Sequence, residues 1–423
     1  MSRSRTSSLL LALILAGVGC TTPGPTAPAS SAPSIDEGER AGESTVGGPT
    51  GRPTPSPSAA RRTAAPTPGL NAQVSEIDDT VTGPFLEVVS DGLFIWYSGV
   101  EPDDLAAETA TVLYRLHPDS QQRDAVWRTA DPAFSIARIA GHNGTVAFAE
   151  IDATPGHTAW NFWLLSADAS EPILLDQYPE GASVPGFVPS FDVDEERVIW
   201  TAFDLGDDGP VSEMWLASAP DWEPRLVASR RAEDRELWLP SLWRDHVAFV
   251  ELIYSEDRTS DDRHVLLMNI DDPAAEPRRL DTSGLATMPQ LVEGGVFWKE
   301  SVRGMSMFNW GGLRYYSFAD ERVRTIDLTG DEVNYPSVGD RFVTAQSIDS
   351  SLLMVYDRDR DEVYPVERHP PAGPGAADRP SLSGTLLVWV ALEIDESHPR
   401  GGPPPKLRWT YLPPPGADVR GFP

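Results

Sequence analysis

Residues 240–281 read PSLWRDHVAFVELIYSEDRTSDDRHVLLMNIDDPAAEPRRLD, and they contain one complete unit of the pattern that decides the fold. The unit opens with Pro240-Ser241 and continues into the apolar triplet Val247-Ala248-Phe249. After a polar loop come a second apolar segment, HVLLMNI, and a short third one, RRLD. Alternating apolar and polar residues, rich in Val, Ile and aromatics, are typical of β-strands, so the unit predicts short strands joined by turns.

The same unit recurs from residue 71 onward. Five units open with a proline, and these prolines are 51, 49, 47 and 44 residues apart, at Pro189, Pro240, Pro289, Pro336 and Pro380. No segment of this region has the sustained 3.6-residue period of an amphipathic helix. Seven units are counted from their core triplets, which are Phe94-Ile95-Trp96, Val146-Ala147-Phe148, Val198-Ile199-Trp200, Val247-Ala248-Phe249, Val296-Phe297-Trp298, Phe342-Val343-Thr344 and Leu387-Val388-Trp389.

Four short strands in each repeat of about 45–50 residues are typical of the blade of a β-propeller. The units between residues 71 and 414 therefore predict an all-β propeller of seven blades, each a four-stranded antiparallel sheet, with six blades or an open solenoid as alternatives. The last unit ends near Leu412 after its third strand, and the segment Asn71–Ile77 is expected to supply the fourth. That pairing would close the ring and remove its open strand edges.

The repeat resembles that of the TolB-like propeller family, whose blades open with a proline-containing turn followed by a V-x-W/F strand. The resemblance covers residues 71–414 and is carried by the Pro-Ser pairs and the core triplets quoted above. Where the family usually has Ser-Pro-Asp-Gly, this chain has proline followed by serine, as in Pro336-Ser337 and Pro380-Ser381. The resemblance implies a protein-docking platform in the bacterial envelope, although related propellers accompany peptidase domains.

Residues 1–19 have the pattern of a secretory signal peptide, because Arg3 and Arg5 precede an apolar run and small residues follow it. The run is shorter than the ~20 apolar residues of a membrane-spanning helix. Cys20, the only cysteine, comes next, and Gly17-Val18-Gly19-Cys20 resembles the lipobox of bacterial lipoproteins. That resemblance implies a lipid on Cys20 and an extracytoplasmic protein anchored to a bacterial membrane. The alternative is an ordinary secreted protein with an unused cysteine.

Residues 20–70 are rich in Pro, Thr, Ser and Ala and contain almost no large apolar side chains. Such a segment cannot bury enough surface to offset the entropy of ordering, so a disordered tether is predicted. The predicted organisation is therefore a signal peptide at 1–19, a tether at 20–70, a propeller at 71–414 and a Pro-rich tail at 415–423.

The 423 residues include 64 acidic and 34 basic ones, for a net charge of −30. This charge speaks against nucleic-acid binding, which needs a basic face, and it predicts faster encounter with basic partners. Seven histidines are scattered without HExxH or H-x-H spacing, and the chain has no G-x-S-x-G motif. We therefore predict no catalytic residues, no metal ligands and no cofactor, with a calcium ion in the central channel as an open alternative.

Three glutamates lie two residues after the aromatic residue of a core triplet, namely Glu150, Glu251 and Glu300. Equivalent positions of a propeller have similar radius and depth, so the three carboxylates could meet at one mouth and bind a cation or catalyse acid–base chemistry. The alternative is that each caps a strand end or pairs with a nearby arginine. Trp160 and Trp310 lie in long loops and are either exposed anchors for a partner or packing residues.

These observations favour a non-enzymatic, lipid-anchored propeller that binds an envelope protein or a glycan. The signal peptide and lipobox indicate the location, the repeat indicates the fold, and the lack of a catalytic motif favours binding. The alternative is a carbohydrate-active or cation-dependent enzyme that uses the carboxylates at the propeller mouth.

Overall fold

In a computed structural model of the protein, every regular element of the described residues is a β-strand. The described residues are 74–77, 87–101, 109–153, 159–178, 188–206, 209–255, 261–272, 276–281, 283–301, 311–328, 333–347, 352–368, 375–393, 406–414 and 416. Because helices are absent from these ranges, they also hold no helix of the length and hydropathy needed to cross a membrane.

Regular structure begins with the short strand β1 (Ser75–Ile77), and the first four blades follow it. Blade 1 contains β2 (Val88–Ser90), β3 (Ile95–Gly99), β4 (Val112–Leu116) and β5 (Arg123–Arg128). Blade 2 contains β6 (Phe134–His142), β7 (Thr145–Asp152), β8 (Trp160–Leu165) and β9 (Ile173–Tyr178). Blade 3 contains β10 (Phe191–Val193), β11 (Arg197–Gly206), β12 (Gly209–Ser218) and β13 (Arg225–Arg231). Blade 4 contains β14 (Arg235–Trp243), β15 (His246–Tyr254), β16 (Asp261–Asn269) and β17 (Arg278–Arg279).

Three more blades complete the architecture. Blade 5 contains β18 (Ala286–Val292), β19 (Gly295–Ser301), β20 (Gly311–Ser317) and β21 (Arg322–Ile326). Blade 6 contains β22 (Val333–Val338), β23 (Phe342–Ser347), β24 (Leu352–Asp357) and β25 (Glu362–Arg368). Blade 7 contains β26 (Gly375–Ser383), β27 (Leu386–Glu393), β28 (Lys406–Tyr411) and β1. Each blade has four antiparallel strands, so the predicted seven-bladed propeller is confirmed. A single pair, Gly311 with Val333, joins the strands of blades 5 and 6 into one sheet.

The N-terminal strand closes the ring, as the sequence predicts. β1 pairs antiparallel with β28, with Ile77 opposite Leu407. Glu76 adds ion pairs to Arg408 Nε at 2.6 Å and to Lys406 Nζ at 3.1 Å. The last blade is therefore completed by residues that precede the first one, and separating the blades requires breaking this sheet.

The first strand of each blade lies innermost. β2, β6, β10, β14, β18, β22 and β26 each contact the next one around the ring, and β26 contacts β2. The remaining strands of each blade follow outward in order. The outer strands β13, β17 and β21 carry exposed arginines such as Arg225, Arg278 and Arg322, and charged side chains on an edge strand discourage pairing with other chains.

A recurring hydrogen bond joins the inner strands of neighbouring blades. Leu291 N donates to Ser241 Oγ of the preceding blade at 2.9 Å. The serine of the Pro-Ser pair is thus the residue that connects one blade to the next. The equivalent donor–acceptor pairs are Leu242 N to Asp192 Oδ2, Val338 N to Gln290 Oε1, Leu382 N to Ser337 Oγ and Ser90 N to Ser381 Oγ.

The proline before this acceptor lies in a β-bulge. In blade 4 the pairing of β14 with β15 is interrupted between Trp238 and Ser241, which places Pro240 where no ladder hydrogen bond is required of it. The residue before the proline has a positive φ in three blades, with φ of 48° at Leu239. The bulges of the other blades span Thr287–Gln290, Asn334–Ser337 and Asp378–Ser381.

Three repeat positions assigned from the sequence are shifted in the structure. In blade 3, β10 starts after Pro189-Ser190, so the acceptor for the next blade is Asp192. In blade 6 the residue opposite the acceptor Ser337 is Thr344, and in blade 1 the residue opposite Val89, which occupies the equivalent position, is Trp96. The core triplet is therefore shifted by one residue in both blades. Strand register, which depends on pairing between blades and on the bulge, decides these positions.

The tryptophans of the core triplets pack between blades. Trp200, Trp298 and Trp389 are each at most 1% exposed and contact the preceding blade. Trp96 is also 1% exposed and faces blade 2. Large aromatic side chains supply much of the buried apolar surface in such an interface.

Asp192 is the acidic acceptor among the five inner-strand contacts, and burial raises its pKa from 3.8 to about 6. Hydrogen bonds from Leu242 N, Val193 N and Ser241 and the nearby His142 act in the opposite direction. Because the folded-state pKa is raised, the contribution of Asp192 to stability is complete below pH 3.8 and is lost as the pH rises through about 6.

Replacing Asp192 by the serine found at the equivalent position of other blades tests this contact. We expect Asp192→Ser to gain stability relative to the wild type as the pH rises from about 4 to 7, by at most about 3 kcal/mol. The measurement is thermal unfolding as a function of pH. Asp168→Ser, at an exposed turn, is the control, and its stability should change with pH as that of the wild type does. If stability depends on pH in the same way for Asp192→Ser and the wild type, the raised pKa of Asp192 is contradicted.

Candidate functional site

Glu150 lies in the cleft between blades 1 and 2, where three donors occupy its carboxylate. Trp127 Nε1 donates to Glu150 Oε1 at 2.7 Å, and Trp163 Nε1 donates to Oε2 at 2.9 Å. Asn161 Nδ2 donates to the same Oε2 at 3.3 Å. Because Trp127 lies on β5, the outer strand of blade 1, this 3% exposed carboxylate joins two blades.

Glu251 and Glu300 pair with arginines, which is one of the two interpretations offered by the sequence. Glu251 is 6% exposed and lies 2.8 Å from Arg230 Nε on the outer strand of blade 3 and 3.4 Å from an Arg235 nitrogen. Glu300 Oε2 lies 2.5 Å from Arg314 Nε on β20. The arginines compensate the desolvation of these carboxylates, so both glutamates have structural partners.

The three glutamates are not brought together by the fold. They lie in the clefts between blades 1 and 2, 3 and 4, and 4 and 5, where Glu150 and Glu251 reach outer strands and not the central channel. Register places Gly99 and Ser347 at the corresponding position of blades 1 and 6. In the ranges that the structure describes, no three His, Cys, Asp or Glu side chains are grouped to hold a metal ion.

Trp160 is not the exposed anchor that its loop position suggested. It begins strand β8 and is only 2% exposed. Its ring stacks on Tyr178 with centroids 6.1 Å apart and packs near Phe162 and Trp200. Strand alternation turns this side chain toward blade 3 and away from solvent. Trp310 and Cys20 lie outside the described residues.

A second group of carboxylates, which the sequence analysis missed, lies between blades 2 and 3. Ala202 occupies the position that is glutamate in blades 2, 4 and 5, and the acidic side chains come from other positions of the two facing sheets. The available signal was the two-residue alternation of a strand, which puts Asp176 on the same face as Tyr178. We define the blade 2–3 cleft by Trp160, Asp176 and Tyr178 of blade 2 and by Trp200, Asp204, Glu213 and Trp215 of blade 3.

Indole groups, which are neutral donors, contact two of these carboxylates. Trp200 Nε1 donates to Asp176 Oδ2 across the cleft at 2.8 Å, and Trp215 Nε1 donates to Glu213 Oε2 at 3.0 Å. Burial raises the pKa of both Asp176 and Glu213, although the indole hydrogen bonds act in the opposite direction. The negative charge of Asp204 raises both pKa values further. The acidic side chains of the blade 2–3 cleft therefore repel one another in a partly dehydrated setting.

Asp176 and Glu213 of the blade 2–3 cleft differ from several other acidic residues, because they have no arginine or lysine partner among the described residues. Glu251, Glu300 and Asp357 each have an arginine within 3 Å, whereas neither Asp176 nor Glu213 has an ion pair with any residue that the structure describes. Burying like charges without a counter-charge costs desolvation energy and does not stabilise the fold. The arrangement is suited to receiving a positive group from outside the described residues.

No protein-family model and no curated protein sequence matches the chain. Among solved structures, the β-propeller domain of the Trilobed protease from Pyrococcus furiosus is similar, with a TM-score of 0.51 and 9% identity over 74% of this chain and 90% of that one. That domain is described as having an open velcro topology, whereas β1 closes the ring here.

Two further solved structures are similar to the chain. Pyrococcus horikoshii acylaminoacyl peptidase has a TM-score of 0.50 and 11% identity over 73% of this chain and 48% of that one. TolB from Acinetobacter baumannii has a TM-score of 0.40 and 10% identity over 80% of this chain and 79% of that one. Similarity at such identity shows the fold alone. The chain is a seven-bladed β-propeller protein, and TolB is among the structures similar to it.

The structural role of Glu150 is tested by its removal. Glu150→Ala leaves two indole N–H groups without their acceptor, so we expect a loss of about 1–3 kcal/mol or more in the free energy of unfolding. Chemical denaturation measures this loss, and Glu171→Ala at an exposed turn of the same blade should change the value by less than about 0.5 kcal/mol. If the stability of Glu150→Ala is unchanged, the structural role is contradicted and Glu150 is again a candidate for ligand binding.

Proposed function

We propose that the protein is a non-enzymatic binding platform, a propeller held at the outer side of a bacterial membrane by a lipid on Cys20 and docking a protein partner. The observation that carries the proposal is the blade 2–3 cleft, whose carboxylates Asp176 and Glu213 lack cationic partners in the described part of the chain. A positively charged group of a partner would stabilise these carboxylates electrostatically.

The electrostatics of the whole chain support the same proposal. A net charge of −30 attracts basic surfaces over a range of about one Debye length and speeds their encounter with the propeller. At the cleft, a partner's cation would offset both the burial of the carboxylates and their repulsion by Asp204.

The enzymatic alternative receives no comparable support. It depends on Glu150, Glu251 and Glu300 meeting at one mouth, and these residues instead lie in three different clefts with structural donors. Calcium in the central channel remains a hypothesis that rests on the sequence only. We keep a glycan partner as an outcome of the experiments below.

The membrane anchor is tested at Cys20. We expect Cys20→Ser to move the protein from the membrane fraction to the soluble fraction, because the acylated thiol would be lost. Fractionation and mass spectrometry of the mature N-terminal peptide measure this change, and Thr21→Ser is the matched control that keeps the cysteine. Membrane retention of Cys20→Ser would contradict lipid anchoring through this residue.

The docking role is tested by crosslinking on protein solubilised from its native membrane. The chain has only two lysines, Lys299 and Lys406, but 64 acidic residues, so a carbodiimide that joins carboxylates to amines suits it best. We expect crosslinks from one face of the propeller to lysines of a single envelope protein. Crosslinks scattered over many proteins, or binding of neutral glycans with no protein crosslinks, would contradict protein docking.

A further inference from the structure

We propose that the blade 2–3 cleft binds a lysine or arginine side chain of the partner, with the cation between Asp176 and Glu213 and a neighbouring carbonyl of the partner accepting a hydrogen bond from Trp160 Nε1. The inference deepens the proposed function and rests on it. It names the chemical group that the platform recognises and the side chains that contact that group.

The strand registers arrange the blade 2–3 cleft in levels. Trp160 pairs with Tyr178, and two residues further along the same strands Phe162 pairs with Asp176. On the facing blade, Ala202 pairs with Glu213. Two residues of a strand correspond to about 7 Å, so Asp176 lies about that distance along the strands from the level of Trp160. A lysine or arginine side chain can span this distance.

The carboxylates of Asp176 and Glu213 can accept further hydrogen bonds from a cation. A carboxylate has about four lone-pair sites. Glu213 receives the Trp215 N–H, and Asp176 receives the N–H groups of Trp200 and Gln177. The small side chain of Ala202 lies opposite Glu213, at the position that is glutamate in neighbouring blades. A charge-assisted hydrogen bond from an ammonium or guanidinium group is stronger than the neutral bonds already present.

The indole of Trp160 is an independent indication of a ligand. This side chain is 2% exposed, and its Nε1 is a buried donor without an acceptor in the described structure. It packs with Trp200 and Ala202 on the face that blade 2 turns to blade 3, and its ring is stacked on Tyr178. Buried donors in native proteins almost always have a partner, so a carbonyl oxygen from a ligand would satisfy this one.

The combination of a buried N–H donor with repelling carboxylates selects among ligands. A peptide supplies a carbonyl acceptor and, from lysine or arginine, a cation with several donors. The half-buried rings of Tyr178 and Trp215 add surfaces against which a cation is favourable. A neutral sugar satisfies the hydrogen bonds but leaves the mutual repulsion of Asp176 and Glu213 in place, so the observations favour the basic peptide.

The test measures binding of labelled hexalysine and hexaarginine peptides to the full-length protein by fluorescence anisotropy, at about 0.15 M salt, where exposed charges are screened beyond about 8 Å. The cleft variant combines Asp176→Asn, Asp204→Asn and Glu213→Gln. We expect its affinity to fall by about tenfold or more, because each factor of ten corresponds to about 1.4 kcal/mol. Its melting temperature should be equal to or above that of the wild type, since the repulsion is removed.

A charge-matched control separates the cleft from general attraction. Asp168→Asn, Glu171→Gln and Asp221→Asn remove the same three charges from exposed turns. We expect less than about a twofold change in affinity for this variant. Equal weakening of the cleft and control variants would overturn the proposal, and so would tighter binding of neutral oligosaccharides than of the basic peptides. If the triple cleft variant fails to fold, Glu213→Gln alone gives the same comparison with Glu171→Gln.

Trp160→Phe tests the second contact, because it keeps the stacked ring and removes the N–H. We expect about three- to tenfold weaker peptide binding and no change in binding of a free alkylamine, which has no carbonyl. Equal effects on both probes would overturn the assignment of the carbonyl contact. Crosslinks to one envelope protein that persist in the cleft variant would refute this inference and leave the platform function standing, whereas their absence in the wild type would refute the platform function itself.

Discussion

The structure depends on the hydrogen bond from a backbone N–H of one inner strand to a polar side chain of the inner strand before it. A blade can bury only one of its faces against each neighbour, so seven sheets form a stable body only if they are held at the same level around the ring. The contact of Leu291 N with Ser241 Oγ and its four equivalents does this close to the axis. The bulge before the acceptor brings the side chain into place, and β1 completes the last sheet from outside the repeat.

Carboxylates of this acidic chain have two different environments. Where an arginine or a pair of indoles faces the carboxylate, as at Glu251 and Glu150, the acidic group contributes to the interface between blades. Where a single indole and no cation among the described residues faces the carboxylate, as at Asp176 and Glu213, the charge lacks such compensation. The same residue type is therefore structural in one cleft and suited to a ligand in another, and the difference comes from the neighbouring blade.

Much of the fold was predictable, because repeated strand patterns and turn residues are local. The sequence predicted seven blades, four antiparallel strands in each and closure by the N-terminal strand, and the structure has all three. Of the two interpretations that the sequence left open for Trp160, the structure favours packing, because this residue is the first of a strand and its side chain faces blade 3. The triplets of blades 1 and 6 were shifted by one, because register depends on pairing partners that the sequence does not show.

The sequence by itself determined the class of architecture, the net charge of −30 and the resemblance of the N-terminus to a lipoprotein signal, since each follows from composition or local pattern. Only the tertiary structure decided which carboxylates have counter-charges. Trp200 and Asp176 are 24 residues apart in the chain and belong to different blades, yet they share a hydrogen bond. Facing sheets bring together residues that no spacing rule connects, and the energy of a buried charge depends on those neighbours.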